Sequence, residues 1–125
     1  MTRIPVHIVT GAPGAGKSAL ITRLCGERKD WLGLVNSARL AGESNLRPLA
    51  PSCPCCTGKV VLQVTLARAL RATGACRVFV ELGDAGHLAG LQRALTESPL
   101  GLSLAVSRVI GLPQDAGLEV AEIDS

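Results

Sequence analysis

The segment Gly11-Ala12-Pro13-Gly14-Ala15-Gly16-Lys17-Ser18 fits the pattern G-x-x-x-x-G-K-[ST]. No other feature constrains the fold as much, because such a loop works only when a strand feeds it and a helix leaves it. Both flanks are predicted. Residues 4 to 10, Ile-Pro-Val-His-Ile-Val-Thr, are rich in β-branched types, and from Lys17 to about Arg28 the apolar Leu20, Ile21, Leu24 and Cys25 recur at helical spacing. Glycines let the backbone curl so that successive N–H groups point at phosphate oxygens, and the helix after the loop presents its positive end. Lys17 adds a charge for the β and γ phosphates, and Ser18 offers a hydroxyl to the Mg²⁺ that bridges them. The expected nucleotide contacts are therefore Gly11, Ala12, Pro13, Gly14, Ala15, Gly16, Lys17 and Ser18.

The rest of the chain continues the same alternation. Trp31 to Asn36 reads as a second strand, and residues 37–58, rich in Ser, Gly, Pro and Cys, as a long connection without periodicity. Val60 to Ala72 is predicted helical and is followed by Thr73-Gly74, where glycine can take a left-handed cap. Arg77 to Leu82 reads as a strand, Leu88, Leu91 and Leu95 mark a helix, and Leu104 to Leu112 form a further strand, with an edge strand expected near 118–123. Strands alternating with helices imply an α/β domain, a mostly parallel twisted sheet with helices on both faces, which with the loop at 11–18 is the P-loop NTPase fold. Residues 1–125 are expected to form one such domain, with 37–58 as a switch-like loop.

Composition narrows the partners. The chain has 125 residues and a formal charge of +3 without a basic patch, which argues against nucleic-acid binding. Trp31 and Phe79 are its only aromatic residues besides histidine, too few for base-stacking on single strands. No apolar run reaches the roughly 18 residues of a membrane span, and the N-terminus lacks the apolar segment of a signal peptide, so a cytoplasmic protein with no membrane partner is expected.

Two further groups carry chemistry. Glu81 follows Val78-Phe79-Val80 and should emerge at the carboxyl edge of the sheet beside the phosphate loop, where a carboxylate can hold the magnesium shell or its water; Asp84 competes for that role. Lys17 and Glu81 are thus the candidate catalytic residues. Three of the five cysteines fall together as Cys53-Pro54-Cys55-Cys56. Cys53, Cys55 and Cys56 can bring two or three thiolates to one Zn²⁺ or another soft divalent ion, with a fourth ligand from water, His87, Glu43 or a second subunit, as in a homodimer. Cys53 and Cys56 also form a C-x-x-C, the spacing of a redox pair. Cys25, Cys76 and His7 read as structural, the two cysteines as small core residues.

A phosphate loop at the N-terminus, a C-x-C-C-T segment some 40 residues later and an apolar strand ending in Glu together resemble the CobW-like GTPases, over roughly residues 4 to 97. That family of metal-handling P-loop proteins is related to the nickel-delivering accessory GTPases of urease and hydrogenase. The resemblance implies a metallochaperone with GTP and Mg²⁺ at the loop, metal at Cys53, Cys55 and Cys56, and a client metalloprotein. Glu81 matches the start of the family's E-x-x-G, although Asp84 stands where its glycine is expected and Gly83 comes one place early. The acidic switch after the second strand is replaced by Asn36-Ser37-Ala38-Arg39-Leu40, so slow hydrolysis is expected. N-K-x-D is absent from the sequence, which leaves GTP and ATP both open, and a shortened form without the family's C-terminal domain is expected. Two alternatives stand beside this one: a small-molecule P-loop kinase, for which the 37–58 loop offers only Arg39 and Arg47, and a noncatalytic metal- or partner-binding domain with a vestigial loop.

Overall fold

The computed structural model describes residues 4–12, 14–35, 45–48, 59–83, 85–96, 104–112, 114–115 and 117–124. In chain order the elements are β1 (Ile4–Gly11), α1 (Lys17–Glu27), β2 (Trp31–Val35), β3 (Leu46–Pro48), α2 (Lys59–Thr73), β4 (Arg77–Leu82), a 3₁₀ turn (Ala85–His87), α3 (Leu88–Thr96), β5 (Leu104–Leu112) and α4 (Val120–Asp124). The five strands form one sheet in the order β3-β2-β4-β1-β5, with every pairing parallel. Parallel neighbours need crossovers, and helices supply those between β1 and β2, β3 and β4, and β4 and β5.

Alternation along the strands sorts the core into two layers. Val6, Ile8, Leu32, Leu34, Val78, Val80 and Leu82 pack against α2 (Leu62, Leu66, Leu70) and α3 (Leu91, Leu95). Val9, Trp31, Val35, Phe79, Ile110 and Leu112 pack against α1 (Leu20, Ile21, Leu24, Cys25) and the Leu118–Ile123 segment. The sheet is thus covered on both faces, which is why its central strands read as nearly continuous apolar runs. Each large aliphatic side chain so buried contributes about 1.5–3 kcal/mol. Gly74, with φ 63°, lies just beyond α2 as expected for a left-handed cap.

Three expectations are corrected. The connection after β2 is not wholly irregular, because β3 adds a short edge strand, with Gly33 opposite Leu46 and Val35 opposite Pro48. Three residues are too few to show a period, and Pro48 fits a strand only at a sheet edge. Residues 118–123 do not pair as an edge strand. Val120–Asp124 turn as a helix instead, which buries Leu118 and Ile123 on the α1 side and lets the Ile123 carbonyl accept a bond from Arg77 Nη1 at 3.0 Å. Cys76 is not a core residue. It is exposed between α2 and β4, and its Sγ donates to Asp30 Oδ2 at 3.2 Å, whereas Cys25 is buried as expected.

Candidate phosphate site

Strand β1 delivers the chain at Gly11 to the carboxyl edge of the sheet, and α1 starts six residues later at Lys17. The turn between them is closed by a bond from Ala15 N to Ala12 O at 3.0 Å, and it needs left-handed backbone at Gly14 (φ 82°) and Gly16 (φ 94°). A side chain at either position would strain the loop, which explains the glycine spacing physically. Gly16 is also the N-cap of α1. It offers no side chain, and no acidic residue sits in the first turn, so the positive end of the helix is not neutralised from within that turn. Pro13 lies outside the described residues.

Lys17 is buried, and its ammonium donates to the carbonyls of Gly11 at 3.0 Å and Ala12 at 3.1 Å. Two of its three N–H donors are thereby fixed on the loop, and the third direction serves an anion held by the loop's amides. Ser18, in the first turn of α1, points toward the sheet, and its Oγ donates to Glu81 Oε1 at 2.5 Å. Glu81 is buried near the end of β4 and sits opposite Val9, two residues before Gly11, in the parallel register. The pair juxtaposes a hydroxyl and a carboxylate, the hard oxygen donors that a small divalent cation such as Mg²⁺ takes, so the residues present fit that ion.

The other predicted positions fall elsewhere. Cys53, Cys55, Cys56, Glu43 and Asp84 lie outside the described residues. His87 closes the 3₁₀ turn ahead of α3. His7 is buried in the middle of β1, stacked on Phe79 with ring centroids 4.9 Å apart, and its Nε2 lies 2.8 Å from Arg77 Nη1. Burial, reinforced by the charges of Arg77 and Arg108, lowers its pKa to about 4, so it is a neutral core residue at physiological pH.

One neighbour of the loop escaped the sequence reading. A cavity of about 280 Å³ opens beside it, lined by Ala15, Gly16, Ala19, Leu20, Arg23 and Leu112. Arg23 is held at its rim by a bond from Nη2 to the Leu118 carbonyl at 2.5 Å and an ion pair with Glu119 at 3.6 Å. The available signal was its spacing, since Arg23 stands four residues after Ala19 on the same side of α1.

Among the described residues no helix is long and apolar enough to cross a membrane. Neither a curated protein nor a solved structure matches the chain significantly. A family model does, that of the CobW/HypB/UreG nucleotide-binding domain, over residues 5–112, which takes in the loop, all five strands and α1 to α3. With that match spanning most of its length and an all-parallel sheet ending in the glycine-rich loop, the chain belongs to the CobW/HypB/UreG nucleotide-binding family.

Proposed function

We propose that residues 11–18 bind a magnesium nucleoside triphosphate, GTP or ATP, that hydrolysis is slow, and that a soft divalent ion at Cys53, Cys55 and Cys56 is linked to nucleotide binding. The observation that carries this reading is the Ser18–Glu81 hydrogen bond, which joins the loop to a carboxylate on the adjacent strand at a point where oxygen donors converge. In the proposed roles the loop amides and Lys17 hold the β and γ phosphates, while Ser18 and Glu81 hold the magnesium and its water. When bound, the ion neutralises charge that develops on the phosphates. Lys17, anchored on two carbonyls, meets the phosphates without first having to be ordered.

The expectation of slow turnover rests on the sequence after β2, where Ser37-Ala38-Arg39-Leu40 carries no acidic group to orient an attacking water. The link between sites is supported by the polarity of the sheet. β3 runs parallel to β2 and ends at Pro48, on the edge where β1 ends at Gly11. The cysteine segment therefore leaves the sheet on the phosphate side, three strands from β1, roughly 14 Å away at the usual strand spacing. Thiolates at that spacing suit Zn²⁺ or a comparable soft ion.

Calorimetric titration tests both parts. Wild type is expected to bind GTP or ATP with Mg²⁺, and Lys17→Ala to lose most of that affinity. With Zn²⁺ present the nucleotide affinity should change by roughly 5- to 150-fold, and nucleotide should change the metal affinity by the same factor. A Cys55→Ser, Cys56→Ser double variant should abolish the link and keep the nucleotide. Equal metal affinity with and without nucleotide would refute the coupling.

A further inference from the structure

The cavity beside the phosphate loop offers room that phosphates seated on the loop do not fill. Its position, wall chemistry and rim point in one direction. Ala15 and Gly16 belong to the loop, Ala19 and Leu20 to the first turn of α1, and Leu112 to the last position of β5, so whatever occupies the cavity adjoins a ligand whose phosphates lie on the loop. The walls are small or apolar, with Arg23 the one charged lining residue. About 280 Å³ lies just under the roughly 300–1,000 Å³ of pockets that enclose whole drug-sized ligands. It suits one flat ring system with sugar and phosphates outside.

We propose that this cavity seats the nucleobase and that Arg23 holds it by stacking, so that guanine and adenine are accepted alike. The inference rests on the nucleotide-binding reading of the loop and specifies what it binds. Arg23 directs its Nη atoms at the Leu118 carbonyl and the Glu119 carboxylate. Hydrogen bonds of a guanidinium lie in its plane, so both π faces stay available, and the anchored group loses little freedom when a base lies on it. Stacking on a guanidinium face is sequence-tolerant because every base has a π face. Discrimination between purines needs hydrogen-bonding groups that would be left unpaired by the wrong base edge. Among the described lining residues no side-chain amide, hydroxyl or carboxylate faces the cavity, and the guanidinium's donors are directed elsewhere.

The test is a set of calorimetric titrations of the full chain, in Mg²⁺, with GTP, ATP and inorganic tripolyphosphate, on wild type, Ala19→Phe and Arg23→Ala. GTP and ATP should bind within about fivefold of each other and about tenfold or more tighter than tripolyphosphate. Ala19→Phe fills the cavity from an exposed position and leaves the Leu118 and Glu119 contacts of Arg23 in place. It should bring both nucleotides down to the level of tripolyphosphate, whose own affinity stays unchanged. Arg23→Ala should do the same. A preference for GTP above about 100-fold, or nucleotide affinity unaltered in Ala19→Phe while tripolyphosphate still binds, overturns the base site and leaves the phosphate loop standing. Failure of tripolyphosphate and nucleotides alike to bind wild type overturns the phosphate loop, and the base site with it.

Discussion

Ser18 and Glu81, 63 positions apart in the chain, meet through a 2.5 Å hydrogen bond from the serine hydroxyl to the carboxylate. The contact is long-range in sequence and short in space because β4 lies directly against β1 and is in register with it. It also fixes the consequence of removing the charge. Glu81→Gln keeps size and an acceptor oxygen but loses the charge-assisted bond, worth about 1.5–3 kcal/mol. In Mg²⁺ the nucleotide affinity of this variant should fall about tenfold or more, while in EDTA it should equal that of wild type. An identical Mg²⁺ dependence in the two proteins would remove Glu81 from the site.

The elements that sequence could reveal are those long enough to show a period. β1, α1, α2, β4 and β5 each repeat their apolar residues often enough to announce helix or strand, and the loop motif between the first two places the phosphate site. What sequence could not show depends on neighbours distant in the chain. Nothing in Leu46-Arg47-Pro48 says strand until Gly33 offers it an edge. Leu118 to Ile123 alternates enough to suggest a strand, yet packing on α1 rewards a helical turn. Cys76 stands among apolar letters but occupies the turn into β4, where Asp30 meets it. Glu81 was legible as a strand end, whereas its partner Ser18 was not. Arg23 gained meaning only from Leu118 and Glu119, which no spacing links to it.

Packing of α1 on the sheet yields a prediction independent of any ligand. A Cβ at Gly33 would stand 2.6 Å from Ile21 Cγ2, 2.7 Å from Leu46 Cδ2 and 3.2 Å from Cys25 Sγ. Leu46 can yield by rotation, but the branched Ile21 side chain is stiff at its first torsion and sits on a helix. Gly33→Ala should therefore destabilise the protein by about 1–3 kcal/mol, read from denaturant midpoints. A midpoint unchanged from wild type would mean that α1 floats more freely over β2 than this packing allows.

The cysteines should separate into reactivity classes. Burial pushes the Cys25 thiol up to about 12, and the Cys76 thiol is raised by partial desolvation first and then by its bond to the Asp30 carboxylate and that group's charge. Since the thiolate is the nucleophile, both should alkylate slowly in the native protein at pH 7.5. Asp30→Asn should accelerate Cys76 severalfold without exposing Cys25. If Cys53, Cys55 and Cys56 hold a soft ion as proposed, they form the fast class and one equivalent of Zn²⁺ slows them. Peptide mapping after timed labelling measures all of this, and fast labelling of Cys76 in wild type would contradict the hydrogen bond.

His7 gives the fold its own acid sensitivity. Burial, with Arg77 and Arg108 adding positive charge nearby, lowers the imidazole from its ordinary 6.5 to about 4, so the unfolded chain takes up a proton at a pH where the folded one does not. The folded-state pKa is the lower of the two, and stability from this group is therefore complete above pH 6.5. It falls by about 1.4 kcal/mol per pH unit between 6.5 and 4, and does not fall further once both states are protonated. The total is about 3 kcal/mol. Asp30, held near 2 by its hydrogen bonds from Arg28 and Cys76, loses its contribution only below the ordinary 3.8 and so stays outside this window. His7→Gln keeps an acceptor for Arg77 and cannot titrate. Urea unfolding at pH 7.5, 6, 5 and 4 should show the advantage of wild type over this variant shrinking by about 3 kcal/mol across the series. Parallel curves would mean that His7 carries its proton in the folded protein and that the Arg77 contact is not the one described.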